Sequence, residues 1–325
     1  MRPKIVAYGR VREKARNKLS EKYEVSHFNN EEDLSNEAFK QAISEASAFI
    51  VGELEVGKDL LDHAPHLKVV SNVSVGYDNL DIEELTKRGI AATNTPDVLN
   101  DTTADAIFGL LLAAARRIPE LDQYVKQGEW KGLLPETRFG VDVHHKTLGI
   151  IGMGRIGEVI AKRAHFGFDM NILYHNRSRK PGLEEKFAAE YRSLDQLLEA
   201  SDYVCLMTPL TPETRYLMGA EQFKRMKKSA VFVNGSRGHT VDETALVEAL
   251  ENGEIRAAAL DVFQEEPVSS NHPLLKLEHV VTTPHLGSAT AETEDRMSLL
   301  AAENVDAVLE GQRPPNLINK QIFSS

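Results

Sequence analysis

Three glycines in G-x-G-x-x-G spacing follow an apolar run in the stretch Leu148-Gly149-Ile150-Ile151-Gly152-Met153-Gly154-Arg155-Ile156-Gly157. Apolar residues then recur at helical spacing, so the sequence predicts a strand, a tight turn and a helix. Gly152 would allow the sharp bend, Gly154 the approach of a pyrophosphate, and Gly157 the close packing of helix on strand. Phosphates would bind at the helix N-terminus, which predicts a dinucleotide site; the alternative is an ordinary glycine-rich turn.

Strand-length apolar runs alternate with helical segments on both sides of this turn. From the turn onward, the predicted strands are Thr147–Ile151, Met170–Tyr174, Tyr203–Met207, Ala230–Asn234, Ala257–Leu260 and Val280–Thr283. Before it, they are Lys4–Tyr8, Tyr23–His27, Ala48–Val51, Lys68–Asn72 and Ile90–Thr93. The alternation predicts an α/β protein with two doubly wound parallel-sheet domains, of which the second carries the glycine-rich turn and matches a Rossmann domain in its six strands.

Two helical stretches suggest where the domains meet. The predicted helix Asp101–Arg117 is apolar all round over ten residues, so we expect it to be buried between domains or subunits. The stretch Pro119–His145 is predicted to be irregular. The six predicted strands already complete the second sheet before the predicted helix Ala289–Leu309 begins, so this helix should pack on the first domain. The predicted domains are therefore residues 1–100 with 288–325 (substrate binding) and 101–287 (dinucleotide binding).

The strand after the glycine-rich turn should end in a carboxylate if the cofactor's ribose 2′-hydroxyl is recognised. It is followed instead by Asn176-Arg177-Ser178-Arg179. Arginine can bind a 2′-phosphate through charge-assisted hydrogen bonds, whereas a carboxylate would repel it. The loop therefore predicts NADP as the preferred cofactor, with NAD as a second candidate; a solvated basic loop is the alternative.

Three further segments follow predicted strands and carry ionisable residues: Arg237, Glu266 and His285. Ligands of doubly wound sheets bind beyond the carboxyl ends of the strands, so these residues can converge there. Arginine holds a permanent charge that can bind a carboxylate and polarise a ketone. Histidine can donate a proton near neutral pH, and a neighbouring carboxylate would raise its pKa. Taken singly, each residue could equally be structural; together they predict reduction of a 2-oxo acid.

Composition narrows the class of protein. The formal net charge of the 325 residues is −11, which argues against a nucleic-acid partner. A single cysteine, Cys205, excludes an intrachain disulfide and a cysteine-based zinc site, and we expect it to be buried and inert. No apolar stretch reaches membrane-spanning length and the N-terminus lacks a signal peptide, so we expect a cytoplasmic protein without a membrane partner.

Taken together, these motifs resemble the D-isomer-specific 2-hydroxyacid dehydrogenases. The resemblance covers nearly the whole chain and includes Asn72–Asp81, Cys205–Thr214 and the segments of Arg237, Glu266 and His285. Val141–Thr147 and the loop at Asn176 resemble in particular the bacterial glyoxylate/hydroxypyruvate and 2-ketogluconate reductase branch. The family resemblance implies a Rossmann cofactor domain inserted into a flavodoxin-like substrate domain, and a homodimer built around residues 101–117.

The resemblance also implies individual roles. Arg237 would anchor the substrate, Glu266 would be the partner of His285, and His285 would donate the proton. Val75 and Gly76 would offer backbone N–H groups to the substrate carboxylate, with Leu54 facing the substrate. The implied cofactor contacts are Thr103, Arg155, Ile156, Thr208, Pro209 and Asp261, besides the glycines and the basic loop. The alternative interpretations are that the chain is a D-3-phosphoglycerate dehydrogenase or a cofactor-sensing interaction module of the corepressor type.

Overall fold

A computed structural model of the chain describes residues 2–29 and 36–323. These residues form two compact units. One takes the described residues up to Leu99 and from Ser288 onward, and the other is Asn100–Gly287. Both are built on parallel sheets flanked by helices, which confirms the predicted fold class.

The first unit contains a five-stranded sheet in the order β2-β1-β3-β4-β5. Its strands are β1 Lys4–Tyr8, β2 Glu24–Phe28, β3 Ala48–Val51, β4 Val69–Asn72 and β5 Ala91–Thr93. This is the flavodoxin-like order. Its helices are Glu13–Ser20, Glu37–Glu45, Lys58–Asp62, Ile82–Lys87 and Ala291–Leu309. Ala301 and Val305 of the last helix are fully buried in the core on one face of this sheet.

The second unit contains a seven-stranded sheet in the order β12-β11-β10-β9-β6-β7-β8. Its strands are β6 Thr147–Ile151, β7 Asn171–His175, β8 Glu190–Tyr191, β9 Tyr203–Leu206, β10 Val231–Asn234, β11 Ala257–Leu260 and β12 Val280–Thr282. Read from β8, six of these strands follow the Rossmann order, and β12 extends it. The sequence did not predict β8, because two residues give no readable periodicity.

Helices cover both faces of the second sheet. They span Asn100–Arg116, Ile118–Lys126, Arg155–Phe168, Pro181–Phe187, Leu194–Ala200, Ala220–Arg225 and Glu243–Glu251. Successive residues of β6 face opposite cores: Ile150 packs in one hydrophobic cluster and Ile151 in the other. The prediction of an irregular stretch after Pro119 was wrong for its first part, which is helical to Lys126 because Pro119 occupies the first turn, where proline is tolerated.

Candidate active site

The glycine-rich turn lies at the carboxyl end of β6. Gly152 has a φ of +100°, and a Cβ there would lie 2.7 Å from the backbone of Met207. A Cβ on Gly157 would lie 2.7 Å from the carbonyl oxygen of Gly152, so close packing of helix on strand requires glycine. Gly154, by contrast, has open space around it and precedes the helix that begins at Arg155. The turn therefore leaves a helix N-terminus open to an anion, which fits a pyrophosphate.

Thr208 and Pro209 follow β9, next to this turn in the same sheet. The Thr208 hydroxyl oxygen is buried and has no hydrogen-bond partner among the described residues. An unpaired buried hydroxyl costs free energy unless a ligand supplies a partner. The Pro209 carbonyl accepts a hydrogen bond from the Thr214 hydroxyl at 2.6 Å, which fixes the loop after the strand. This orphaned hydroxyl and the open turn together fit a bound dinucleotide.

Asn176 forms two hydrogen bonds that the sequence did not predict. Its side-chain oxygen accepts a hydrogen bond from the Met153 N–H at 2.7 Å, and its amide nitrogen donates to the Met153 carbonyl at 3.1 Å. Both polar atoms of the side chain thus bind the backbone of the glycine-rich turn. Asn176 therefore shapes that turn from the end of the neighbouring strand.

The two arginines of the basic loop differ in their surroundings. Arg179 forms two hydrogen bonds to the Glu184 carboxylate, from Nε at 3.0 Å and from Nη2 at 2.6 Å. The buried Tyr174 hydroxyl donates to the same carboxylate at 2.6 Å and holds it in place. Arg177 and Ser178 are exposed. The sequence treated the two arginines as equivalent, but the structure engages Arg179 with an acid five residues along the chain.

His285 and Glu266 form the central pair of the site. The His285 Nδ1–H donates to Glu266 Oε2 at 2.8 Å, and Glu266 Oε1 accepts the Phe263 N–H, also at 2.8 Å. The hydrogen bond with Glu266 raises the pKa of His285, although burial and the charge of Arg237 oppose it. Burial works against ionisation of Glu266, but the hydrogen bonds from His285 and Phe263 outweigh it and lower the pKa of Glu266. The pair thus favours a charged imidazolium whose Nε2–H is available.

Asp261 holds the turn that carries His285. Its carboxylate accepts hydrogen bonds from the Thr283 hydroxyl at 2.6 Å, the Leu286 N–H at 2.8 Å and the Gly287 N–H at 2.9 Å. His285 itself has a φ of +50°, a left-handed conformation that needs such support. A Cβ on Gly287 would lie 3.2 Å from both Asp261 and the buried Thr103, so these residues are neighbours. None of these hydrogen bonds to Asp261 was predicted from the sequence.

Arg237 follows β10, and its backbone is fixed by neighbouring side chains. The Arg237 carbonyl accepts hydrogen bonds from Asn234 Nδ2 at 3.1 Å and from the Thr240 hydroxyl at 2.6 Å. Its guanidinium donates to the Ser236 carbonyl at 2.9 Å. The positive charge of Arg237 acts on both Glu266 and His285, shifting the pKa of each downward. The three residues therefore share one electrostatic environment.

Two residues that sequence reasoning missed join the Arg237 and Glu266 segments. A Cβ on Gly238 would lie 1.9 Å from the backbone of Phe263, so only glycine allows these segments to meet. The buried Glu243 accepts the Gln264 N–H at 2.8 Å, and its other oxygen pairs with His272 at 3.2 Å. The only signal for either in the sequence is proximity to Arg237, which says nothing about contacts with a loop more than twenty residues away.

The residues expected to bind substrate from the first unit lie in two loops. Leu54 is partly buried in the loop after β3, and Val75 and Gly76 lie in the loop after β4. The N–H groups of Val75 and Gly76 have no hydrogen-bond partner within residues 2–29 and 36–323. They are therefore able to donate to an anion.

Three further observations concern metal ligands, membrane-spanning helices and the single cysteine. Within the described ranges, no cluster of three or more His, Cys, Asp or Glu side chains could hold a metal ion. No helix found there is long and apolar enough to cross a membrane. Burial raises the pKa of the Cys205 thiol to about 12, so it is a poor nucleophile.

The chain is similar to known proteins in both sequence and fold. The family profile described as "D-isomer specific 2-hydroxyacid dehydrogenase, NAD binding domain" matches residues 108–287. The chain is 46% identical to a glyoxylate/hydroxypyruvate reductase B from Citrobacter koseri over 322 residues, 99% of both chains. A solved NADPH-dependent glyoxylate/hydroxypyruvate reductase from Sinorhizobium meliloti, in complex with NADP and malonate, is 32% identical. It matches with a TM-score of 0.89 over 100% of this chain and 99% of that chain.

A protein from Thermus thermophilus is similar in structure with a TM-score of 0.90 and 41% identity, over 97% of this chain and 99% of that one. Full-length identity at this level and a matching family profile lead to the same assignment. The chain belongs to the D-isomer specific 2-hydroxyacid dehydrogenases and is an NAD(P)-dependent oxidoreductase.

Proposed function

We propose that this protein uses NADPH to reduce the ketone of a small 2-oxo acid, such as glyoxylate, hydroxypyruvate or 2-ketogluconate, to the D-2-hydroxy acid. The observation that carries the proposal is the His285–Glu266 hydrogen bond within range of the Arg237 charge. An acid with a raised pKa and a permanent cation are what ketone reduction needs. The full-length similarity to glyoxylate/hydroxypyruvate reductases supports the choice of substrate class.

In this mechanism the chemistry that NADPH would supply when bound is hydride transfer to the ketone carbon. Arg237 binds the substrate and stabilises the negative charge that develops on the ketone oxygen. The His285 Nε2–H donates a proton to that oxygen. Glu266 keeps the imidazole charged and oriented through Nδ1, and Asp261 supports the turn on which the imidazole lies.

The residues that would hold the cofactor are Thr103, Gly152, Gly154, Arg155, Ile156, Gly157, Asn176, Arg177, Ser178, Arg179, Thr208, Pro209 and Asp261. Within this set the proposed roles differ. The helix N-terminus after Gly154 would bind the pyrophosphate. Asn176 and Asp261 would act chiefly by shaping their loops, since their polar atoms are hydrogen-bonded within the protein. The carboxylate of the substrate would be bound by the N–H groups of Val75 and Gly76, with Leu54 against the substrate.

The test is to follow oxidation of NADPH and of NADH with glyoxylate, hydroxypyruvate and 2-ketogluconate. Turnover with at least one of them is expected, with the higher kcat/KM for NADPH. A protein that binds NADPH but turns over none of the three would overturn the proposal, and phosphoglycerate oxidation would be assayed next. The order of kcat/KM among the three acids shows which length of carbon chain beyond the 2-oxo group the site prefers.

Replacing Arg177 with aspartate should reverse the cofactor preference. Both arginines of the basic loop are exposed, but Arg179 is paired with Glu184, and a carboxylate in place of Arg177 would repel a 2′-phosphate. The ratio of kcat/KM with NADPH to that with NADH is expected to fall about 100-fold, since hydrogen bonds to charged groups contribute about 1.5–3 kcal/mol. Arg225→Asp, at an exposed arginine on the helix Ala220–Arg225, is the control. An unchanged ratio in Arg177→Asp would rule out phosphate recognition by Arg177.

Replacing Glu266 with glutamine should shift the pH dependence. His285 donates a proton only when charged, so reduction is fastest below its pKa and declines as pH rises through that value. Glu266 raises the pKa of His285, and its loss should move this decline to lower pH. At neutral pH kcat should fall about tenfold for each unit by which the pKa drops, with less loss in acid. The control is Glu265→Gln, the exposed neighbour, and a pH profile of kcat that stays in place would contradict the assignment.

We further propose that the protein works as a homodimer in the cytoplasm. Five large apolar side chains are exposed between residues 118 and 139, including Leu133 at 99% and Trp130 at 61%. Such a concentration of exposed apolar surface is typical of a protein–protein interface. It directly follows the helix Asn100–Arg116, the region that the family resemblance assigns to the dimer.

A further inference from the structure

Asn79 connects the two loops of the first unit that follow β3 and β4. Its amide nitrogen lies 3.1 Å from the Gly52 carbonyl oxygen and 2.9 Å from that of Leu54, and donates to both. Its side-chain oxygen accepts a hydrogen bond from Asn72 Nδ2 at 3.1 Å. A single side chain thus binds the backbone of one loop from a position at the end of the other.

Hydrogen bonds also fix the direction of the peptide groups in the second loop. The Ser74 carbonyl accepts the Thr95 N–H at 2.9 Å, and the Val75 carbonyl accepts Asn94 Nδ2 at 2.8 Å. In a trans peptide the C=O and the following N–H point in opposite directions. Holding these two carbonyls therefore directs the N–H groups of Val75 and Gly76 away from Asn94 and Thr95.

Asn72 links this loop to Asn79. It is fully buried, and its amide nitrogen donates to the Gly76 carbonyl at 2.7 Å as well as to Asn79. Asn79 then extends the connection to Gly52 and Leu54. The Asn79 amide therefore helps to fix the position of Leu54 relative to the Val75 and Gly76 N–H groups, in addition to the backbone hydrogen bonds that Val51 and Val56 form with the second loop.

We propose that Asn79 is a positioning residue that sets the affinity for the carboxylate of the 2-oxo acid. It does so by fixing the Gly52–Leu54 loop against the loop that offers the Val75 and Gly76 N–H groups. This inference rests on the proposed function, since it takes those N–H groups as donors to the substrate. Binding sites lose affinity when donors are no longer held in place, even if no contact to the ligand is removed.

The test is Asn79→Asp, which keeps the shape of the side chain but replaces the donating nitrogen with an oxygen that repels the Gly52 and Leu54 carbonyls. The KM for glyoxylate and the inhibition constant of a dicarboxylate such as malonate should both rise about tenfold or more, and kcat should change less. The dissociation constant of NADPH, measured by fluorescence titration, should stay within about twofold. Asn79→Ser, uncharged and shorter, should show the same pattern more weakly.

The matched control is Asn319→Asp. Asn319 lies in the same unit and has the same kind of contacts: its oxygen accepts the Ala92 N–H, and its amide nitrogen donates to Thr86 and the Ile90 carbonyl. It should lower the unfolding temperature without raising the KM. An Asn79→Asp protein with unchanged KM, or an equal rise in KM from Asn319→Asp, would overturn the proposal.

Failure of the proposed function has a different signature, since the wild-type protein would then turn over none of the 2-oxo acids. Hydrogen exchange still tests Asn79 in that case. Faster exchange in Asn79→Asp should be confined to the segments around Gly52–Leu54 and Val75–Gly76. Unaltered exchange in both segments would show that Asn79 does not hold them.

Discussion

Replacing His285 with alanine is expected to lower kcat for glyoxylate reduction about 10³-fold, the usual contribution of a positioned general acid. In the wild-type protein the Nδ1–H bond to Glu266 keeps the imidazole charged, so Nε2 can deliver a proton to the ketone oxygen. Alanine has no ionisable group that could take over this proton transfer. The dissociation constant of NADPH should hardly change, because the glycine-rich turn and the Thr208 loop are formed elsewhere in the sheet.

The backbone at this position calls for a second variant. His285 has a φ of +50°, which asparagine adopts more readily than alanine does. His285→Asn therefore separates loss of the proton donor from strain in the turn, and it should show the same loss of kcat. His63→Ala, at an exposed histidine of the other unit, is the control. Retention of more than about a tenth of the wild-type kcat in His285→Asn would exclude His285 as the proton donor.

Replacing Arg237 with alanine is expected to lower kcat/KM about 10³-fold, the upper range for removal of one group that stabilises developing charge. Arg237→Lys should restore part of this loss, because lysine keeps the charge but lacks the planar fork that binds a carboxylate or a carbonyl. The backbone should remain in place in both variants, since Asn234 and Thr240 bind the main-chain carbonyl and not the side chain.

The pH dependence gives this second experiment an independent readout. The charge of Arg237 lowers the pKa of His285, so its removal should move the decline of kcat with rising pH to higher pH. This is opposite in direction to the shift expected for Glu266→Gln. Arg313→Ala, at an exposed arginine, is the control. Full activity in Arg237→Lys would mean that charge alone is required; full activity in Arg237→Ala would refute the proposed role.

The basic loop Asn176–Arg179 contains residues whose individual roles the sequence could not distinguish. Asn176, Arg177, Ser178 and Arg179 form one polar run, and nothing in that run ranks them. In the structure Asn176 binds the glycine-rich turn and Arg179 binds Glu184, although both arginines are exposed. Which arginine is available to a phosphate is decided by neighbours in space, so the run could not reveal it.

The chemical groups of the site could be predicted from the sequence, because each prediction depends on residues that are adjacent in the chain. The spacing of Gly152, Gly154 and Gly157 specifies a strand–turn–helix with an anion site, and a residue that directly follows a parallel strand must lie at its carboxyl end. Arg237 and His285 follow β10 and β12 in this way. The α/β class with parallel sheets followed from periodicity alone, because buried parallel strands require apolar runs with helices between them.

The long-range contacts that orient these groups depended on tertiary structure. Asp261 supports the His285 turn, Gly238 lets two segments touch, and Asn79 ties two loops together through carbonyl groups. Such contacts involve backbone atoms that every residue possesses, so the partner leaves no mark in the sequence. The sequence determined which chemical groups this protein has and at which sheet edge they lie. Only the folded chain decided which of them are held in place and which remain available to a ligand, because hydrogen bonds depend on distance and direction in space.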